Sequence, residues 1–261
     1  MKLHDINLYN SFQERRVVKI IAGIDNTNVA DIIKIAKAAE LSNASYLDVV
    51  ANVRIVKVLK SFSTLPICIS SINPLDIYNC LSSGADLVEV GNYDAFYNQN
   101  IFFNTVDILN LTKEIKLIID NKDICVTIPY YLNLDQQINL ACRLEELGVN
   151  ILQTEGCFFN SKFKRDKGIL QNFSSSLLST YSISKAVNIP VITSSGVNSM
   201  LSCMSTYYGS SGVGIGSVIR NKSSLIDMVN YINEVKELMN NHELQHNNLS
   251  TFDNFVALNK F

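Results

Sequence analysis

The feature that most constrains the fold of this chain is the repeated alternation of short apolar runs with stripes of helical period. The first run, Val17–Gly23, is too continuous in apolar residues for a half-exposed strand and is typical of a buried parallel strand. Apolar residues at helical spacing follow from Val29 to Leu41. Eight such units recur along the chain without a linker, which favours a closed parallel (β/α)8 TIM barrel over an open sheet.

The alternation predicts a single α/β domain over residues 1–261, with its core at about 17–239. Residues 1–16 are expected to form a short helix on the barrel floor, and residues 240–261 a polar C-terminal tail. The predicted strands are 17–23, 46–50, 66–71, 87–91, 124–129, 151–155, 191–195 and 213–216.

Turn residues support these boundaries. Pro74 is expected at the first position of a helix that Asn73 caps. Gly84, Gly148 and Gly209 each follow a helical stripe and precede a strand, where glycine fits the left-handed residue that ends many helices.

Composition excludes several classes of function. The formal net charge is −2, so we expect no nucleic-acid partner. No apolar run approaches the roughly 20 residues that span a bilayer, and the N-terminus lacks an apolar signal core, so we expect no membrane partner and a protein that works where it is made. The six cysteines are widely spaced, which predicts reduced thiols and no metal site.

Polar residues within the predicted strands carry the functional hypothesis. A barrel strand is buried on both faces, and an unpaired charge beneath the outer helices is costly, so these side chains are expected to point into the barrel. The candidate catalytic residues are Lys19, Asp48, Glu89 and Glu155. The other candidate pocket residues are Asn92, Thr127, Gln153 and Thr193. The alternative is a structural salt-bridge network at the barrel centre, in which Lys19 is merely paired.

Glu155 is the candidate nearest to the barrel mouth. It ends the sixth strand and precedes the longest predicted loop, 156–173, before a helix expected near 175–187. A desolvated Lys19 could form a Schiff base with a carbonyl substrate. Alternatively, a charged Lys19 stabilises an enolate while Glu155 moves a proton, which we favour because adjacent carboxylates stabilise the ammonium form.

Two glycine turns predict a phosphate site. The turn at the end of the seventh predicted strand contains Ser195 and Gly196. The turn at the end of the eighth contains Gly214, Gly216 and Ser217. In a closed barrel these turns lie side by side, where barrels of this class commonly bind phosphate. The phosphate of FMN would use the same turns, although no cofactor is required by the sequence. The alternative is two ordinary strand-to-helix turns.

One motif is expected to be inactive. The segment His242-Glu243-Leu244-Gln245-His246 matches H-E-x-x-H, a zinc-protease pattern. It lies in the polar tail, and no His or Glu follows it to serve as the third zinc ligand, so we expect no metal there.

Longer stretches resemble a known family. The segments 84–97, 126–129, 153–156, 183–187 and 212–217 are together similar to the conserved hypothetical chloroplast reading-frame family of algal plastids and cyanobacteria. The resemblance implies an aldolase-type barrel that is plastid-encoded and works in the chloroplast stroma, but it implies no reaction. Tyr130 stands where the family pattern has a histidine, which weakens any mechanism that uses one at this position.

The sequence therefore predicts a phosphate-binding barrel that acts on a small phosphorylated metabolite by lyase, isomerase or synthase chemistry. The alternative is a non-catalytic barrel that senses such a metabolite and regulates a partner protein. A homo-oligomer is left open.

Overall fold

The predicted barrel is confirmed by the computed structural model, which describes residues 3–91, 93–97, 99–119, 121–156, 169–194 and 199–240. All strands are parallel, each pairs with the next along the chain, and the last pairs with the first. The strands are β1 (Val17–Ile21), β2 (Tyr46–Val50), β3 (Ile67–Ser70), β4 (Leu87–Val90), β5 (Asp123–Ile128), β6 (Ile151–Thr154), β7 (Val191–Ser194) and β8 (Gly212–Ile215). Each predicted strand agrees with the observed one to within two residues at either end.

Helices pack around the outside of the barrel. Their bounds are α1 (Ile6–Gln13), α2 (Val29–Leu41), α3 (Val53–Lys60), α4 (Pro74–Leu81), α5 (Asp94–Tyr97), α6 (Thr105–Ile118), α7 (Leu134–Glu146), α8 (Ile169–Ala186), α9 (Ser199–Tyr207), α10 (Ser217–Arg220) and α11 (Leu225–Asn240). The short helices α5 and α10 were not expected, and α8 begins at Ile169, earlier than the predicted residue 175. No helix within the described ranges combines the length and apolar character needed to cross a bilayer.

Asparagine starts many of the outer helices. In each case its side-chain oxygen accepts a hydrogen bond from a backbone N–H of the first turn, which stabilises the helix by about 1 kcal/mol. The caps of α2, α3, α4, α6 and α7 are Asn28, Asn52, Asn73, Asn104 and Asn133. The predicted Asn73–Pro74 start of α4 is therefore confirmed.

A left-handed residue stands between a helix and the following strand at six places, among them Arg15 before β1 and Asn121 before β5. Gly84, Gly148 and Gly209 have φ of 107°, 78° and 96°, and Asn43 takes the same role before β2 with φ of 48°. The predicted glycine turns are thus confirmed.

A layer of apolar side chains closes the lower end of the barrel, where the strands begin. We call it the floor layer; it takes one inward-facing residue from each of seven strands and two from α1. These residues are Val17, Tyr46, Cys68, Leu87, Cys125, Ile151, Ile192, Leu8 and Phe12. The expected N-terminal helix on the barrel floor is confirmed, since Leu8 and Phe12 are buried against this layer.

The eighth strand contributes glycine to the floor layer. Gly212 is paired with Val17, and a Cβ atom at Gly212 would lie 2.4 Å from both the Cβ and the carbonyl oxygen of Val17. Two residues on, a Cβ at Gly214 would meet only side-chain atoms, of Ile21 and Ser194, at 3.1 Å and beyond. The first glycine is required by backbone approach, and the second leaves room that a side chain could partly take.

These two glycines give a prediction about stability. Gly212→Ala is expected to lower the free energy of unfolding by about 3 kcal/mol or more, because strand backbone cannot move aside. Gly214→Ala is the matched control and should lose less than about 1.5 kcal/mol, because the neighbouring side chains can shift. Urea unfolding followed by circular dichroism measures both; equal losses would contradict the assignment of Gly212 to a backbone contact.

Candidate functional site

Directly above the floor layer, the inner face of the barrel becomes polar. Side chains on a strand alternate between its two faces, so the residue two positions after each floor residue also points inward. In every strand that residue is polar, charged or glycine. This polar layer consists of Lys19, Asp48, Ser70, Glu89, Thr127, Gln153, Ser194 and Gly214.

Lys19 is the centre of the polar layer. Its Nζ lies 3.0 Å from Oδ2 of Asp48 and 2.9 Å from Oε1 of Gln153, and it also contacts Oε2 of Glu89. An ammonium group has three N–H donors, and here three acceptor oxygens surround it. Lys19 and Glu89 have no solvent exposure and Asp48 only 1%.

The two carboxylates are held by further side chains. Oε1 of Glu89 accepts hydrogen bonds from the Thr127 hydroxyl at 2.8 Å and from Nε2 of Gln153 at 2.7 Å. Oδ1 of Asp48 accepts a hydrogen bond from the Ser70 hydroxyl at 2.6 Å. The structure thus brings together five residues that the sequence singled out and adds Ser70.

The charges of the polar layer are strongly coupled. Burial alone lowers the pKa of Lys19, but the carboxylates of Asp48 and Glu89 raise it, so that the pKa lies well above its ordinary value and the ammonium stays charged. Burial raises the pKa of Glu89; the positive charge of Lys19 opposes this rise, and the negative charge of Asp48 adds to it. One positive and two negative groups therefore share a site closed to solvent, and the pKa of Glu89 lies above its ordinary value.

Glu155 follows the end of β6, two residues beyond Gln153 and nearer to the mouth. It is buried, and its Oε2 accepts hydrogen bonds from the Tyr97 hydroxyl at 2.6 Å and from the backbone N–H of Tyr130 at 3.4 Å. Tyr97 ends the short helix after β4, and Tyr130 lies in the loop after β5. Three adjacent strand ends therefore position this carboxylate.

The mouth beside β8 offers backbone without side chains. Gly214 lies level with Lys19 in the strand pairing, and Gly216 and Ser217 follow at the start of α10. A Cβ at Gly216 would lie 3.0 Å from the terminal nitrogen of Arg220, which places an exposed guanidinium group beside this turn.

One predicted pocket residue faces the wrong way. The Thr193 hydroxyl lies 2.9 Å from that of Thr180 on α8, so the prediction that Thr193 points into the barrel is wrong. Ile192 lies in the floor layer, and the inward position above it belongs to Ser194. On the outer face, Thr154 also contacts Thr180, at 2.8 Å, and these hydroxyls form a buried polar contact between sheet and helix.

Several predicted residues lie outside the described residues. These are the pocket residue Asn92, the phosphate residues Ser195 and Gly196, and the whole segment His242–His246. Their assignments stay predictions.

A group that could in principle ligate a metal lies where the polar layer meets the floor layer. Ligand atoms of Asp48, Cys68 and Glu89 all lie within 4.8 Å of one another. Lys19 already supplies a positive charge to both carboxylates, and burial raises the pKa of the Cys68 thiol, which keeps it protonated. The arrangement is that of an ion-pair network with a neutral thiol beneath it. All five cysteines within the described ranges have free thiols.

Sequence reasoning missed the aromatic residues around Glu155. Tyr97 ends the four-residue helix α5 after β4, and Tyr130 and Tyr131 lie in the loop after β5, so these residues are too few to show a strand or helix period. The only available signal was the density of rings in 93–103 and at 130–131. Ser70 and Ser194 were also missed, although Ser70 follows from period two once Cys68 is placed inside.

Comparison with known proteins places these features in context. Residues 3–245 match the family described as "Protein of unknown function (DUF561)". The chain is 45% identical over 245 residues to "Uncharacterized protein ycf23" of Antithamnion sp., covering 90% of this chain and 88% of the relative. The ycf23 homologues come from algal plastid genomes, which indicates a plastid-encoded protein.

Two of the solved structures with a similar fold are enzymes named for phosphorylated compounds. (S)-3-O-geranylgeranylglyceryl phosphate synthase of Thermoplasma acidophilum, in complex with its substrate sn-glycerol-1-phosphate, has a TM-score of 0.62 at 10% identity and covers 91% of this chain and 98% of its own. 3-Hexulose-6-phosphate synthase has a TM-score of 0.58 at 12% identity, and the match covers 85% of this chain and 99% of the synthase chain. At these identities the likeness shows the fold alone, an aldolase-type TIM barrel.

The charge balance of the polar layer gives a prediction. Lys19→Met should lower the free energy of unfolding by about 3–5 kcal/mol near pH 8, because two buried carboxylates lose their counter-charge. Without Lys19, burial holds the pKa of Glu89 above its value in the unfolded chain, so the folded state binds more protons and the deficit shrinks as the pH falls toward 5.

Urea unfolding at several pH values measures this deficit. Lys37→Met, at an exposed position of α2, is the control and should change stability by less than about 0.5 kcal/mol at every pH. A deficit for Lys19→Met that is independent of pH, or that grows toward low pH, would contradict the proposed charge balance.

Proposed function

We propose that this chain, which belongs to the DUF561 family of proteins of unknown function, is an enzyme that acts on a small phosphorylated metabolite. The observation that carries the proposal is the row of ionisable side chains inside the barrel, with the charged Lys19 in the polar layer and Glu155 one step nearer to the mouth. The reaction class is lyase, isomerase or synthase chemistry through an enolate.

Stability alone does not account for the polar layer. The interior layers of a TIM barrel are usually filled by branched apolar residues. Replacing a buried ion pair by packed apolar residues is often neutral or stabilising by about 1–4 kcal/mol. A layer in which seven strands present polar side chains at one level therefore supports a role in chemistry or ligand binding.

The contacts of Lys19 favour the enolate over the Schiff base. A Schiff-base lysine attacks as the neutral amine, which requires a lowered pKa. Here the carboxylates of Asp48 and Glu89 keep the amine protonated, and three oxygens surround its three N–H bonds. A fixed positive charge of this kind stabilises negative charge that develops on a substrate oxygen above it.

Glu155 is the proposed acid–base residue. It lies at the mouth end of the same inner face, and the Tyr97 hydroxyl and the Tyr130 N–H fix the orientation of its carboxylate. A positioned carboxylate that removes a proton next to a carbonyl contributes about 10²–10⁴ to the rate.

The proposed phosphate position is the bare backbone of β8 and the turn after it. Gly214, Gly216 and Ser217 would line it, with the guanidinium of Arg220 nearby, and Ser195 and Gly196 stay predicted members of the site. The phosphorylated compounds named for the two enzymes of similar fold motivate this position.

One observation favours the alternative of a metabolite sensor without catalysis. Lys19, Asp48 and Glu89 are almost completely buried and mutually satisfied, which is also the pattern of a structural polar core. The two functions differ in whether a carbon-bound proton of the ligand is ever removed.

The proposed compartment is the plastid stroma, because relatives are encoded in algal plastid genomes. Fractionation of isolated plastids should recover the protein in the soluble stromal fraction. Recovery in the washed thylakoid fraction would contradict this location.

Proton exchange tests the catalytic proposal without knowledge of the product. The protein is incubated in D2O with a panel of ketose and aldose phosphates, and deuterium incorporation at carbon is followed by mass spectrometry. We expect exchange on at least one compound, and a rate lower by about 10²–10⁴ in Glu155→Gln, whose phosphate affinity should stay within twofold of the wild type.

The other outcomes separate the alternatives. Binding of a phosphate ester without exchange of any proton would favour the sensor. Borohydride-dependent attachment of a substrate to Lys19 would favour the Schiff-base mechanism over the enolate mechanism. A flavin absorbance of the purified protein would indicate that FMN occupies the phosphate position.

A further inference from the structure

The mouth of the barrel above β4 and β5 carries a group of packed aromatic rings. We call it the aromatic cluster; it consists of Tyr97, Phe102, Tyr130 and Tyr131. The Tyr97 ring is nearly parallel to that of Phe102, with centroids 5.5 Å apart and an angle of 13°. Tyr130 and Tyr131 meet Tyr97 edge to face, at 5.3 Å and 5.5 Å. These are the favourable geometries of aromatic pairs, so the rings support one another.

The aromatic cluster is fixed in place and still partly accessible. The Tyr131 hydroxyl donates a hydrogen bond to the carbonyl of Phe103, and the Tyr97 hydroxyl donates one to Glu155. Phe102 is 52% exposed, and Tyr130 and Tyr131 are partly exposed. A rigid aromatic surface at a barrel mouth can bind a flat apolar group at little cost in side-chain entropy.

The proposed acid–base residue lies within this surface. Oε2 of Glu155 accepts its hydrogen bonds from Tyr97 and from the N–H of Tyr130, two members of the cluster. A group that Glu155 reaches therefore also meets the rings.

The opposite side of the mouth has a different chemistry. On β7 and β8 the inward positions are Ser194 and Gly214, and Gly216 follows with Arg220 beside it. The described mouth therefore joins a small, polar half to an aromatic half, and a ligand that spans it needs two different ends.

We propose that the ligand of this barrel is a phosphate monoester whose other end is a flat, apolar group, either an aromatic ring or a conjugated chain. The aromatic cluster binds that group and holds the adjoining carbon next to Glu155. The proposal rests on the proposed function, because it takes the phosphate to lie at β8.

Binding of small probes tests the substrate class. Affinities for phenyl phosphate, benzyl phosphate, glycerol phosphate and inorganic phosphate are measured with the full chain by ligand-observed NMR. At least one aryl phosphate should bind at least tenfold more tightly than glycerol phosphate. Phe102→Ala should weaken that aryl phosphate about fivefold and leave glycerol phosphate within twofold, because only the ring contact is lost.

A matched substitution at the other end of the barrel serves as the control. Phe62 is 38% exposed and follows α3 at the end where the strands begin, so Phe62→Ala should leave both affinities unchanged. Circular dichroism and sedimentation of each variant show that fold and oligomeric state are kept.

The outcomes separate this proposal from the proposed function. Equal affinity for aryl and glycerol phosphates would overturn the substrate class and leave the phosphate site standing. Absence of binding by every phosphate would overturn both. A change of oligomeric state in Phe102→Ala without a change in aryl phosphate affinity would assign the exposed ring to contact between copies of the chain and overturn the proposal.

Discussion

The ion pairs of Lys19 are the interaction on which the interior of this barrel depends. A lysine without exposure is tolerated only because Asp48 and Glu89 offset its charge, and each carboxylate is tolerated only because further donors satisfy it. The network connects residues from β1 to β6, so a change at one strand alters the charge balance at the others. Cooperative networks of this kind specify one arrangement, because a partly satisfied version is worse than an apolar core.

The apolar layers stabilise the fold, and the polar layer holds the charged groups. The floor layer and the outer ring between strands and helices remove apolar surface from water, which is the main contribution to folding. The polar layer lies on the floor layer and depends on this apolar packing. The ammonium and carboxylate groups keep their geometry only where packed neighbours hold the strands in register. Gly212 lets Val17 approach β8 closely in the floor layer, and Gly214 lets the side chains of Ile21 and Ser194 approach it in the polar layer.

The alternation of side chains between the two faces of a strand was sufficient to predict most of the polar layer from the sequence. Lys19, Glu89 and Gln153 stand out because each interrupts an apolar strand, and a buried charge has only one tolerable side to face. The predicted inward orientation of Thr193 was wrong for a physical reason. Its neighbours Val191 and Ile192 are both apolar, so the sequence does not say which of them faces inward, and Thr193 and Ser194 are both polar. The phase is set by contact of Ile192 with the floor layer, which is a tertiary contact.

The surroundings of Glu155 were less accessible to sequence reasoning. Tyr97, Phe102 and Tyr131 belong to connections whose conformation depends on packing between loops, and no periodicity links them to β6. By contrast, Asn73 with Pro74 and the three turn glycines were predictable, because their conformations are local and their residue preferences are strong.

The helix α1 determines from which end of the barrel solvent can reach the interior. Leu8 and Phe12 close the lower end of the barrel against Tyr46 and the other floor residues, and all of these are buried. Within the described residues, packed apolar side chains thus separate Lys19 and Glu89 from solvent at the lower end of the barrel. We therefore expect protons to reach Glu89 from the mouth, so that a ligand bound there slows the response of the buried charges to the surrounding pH.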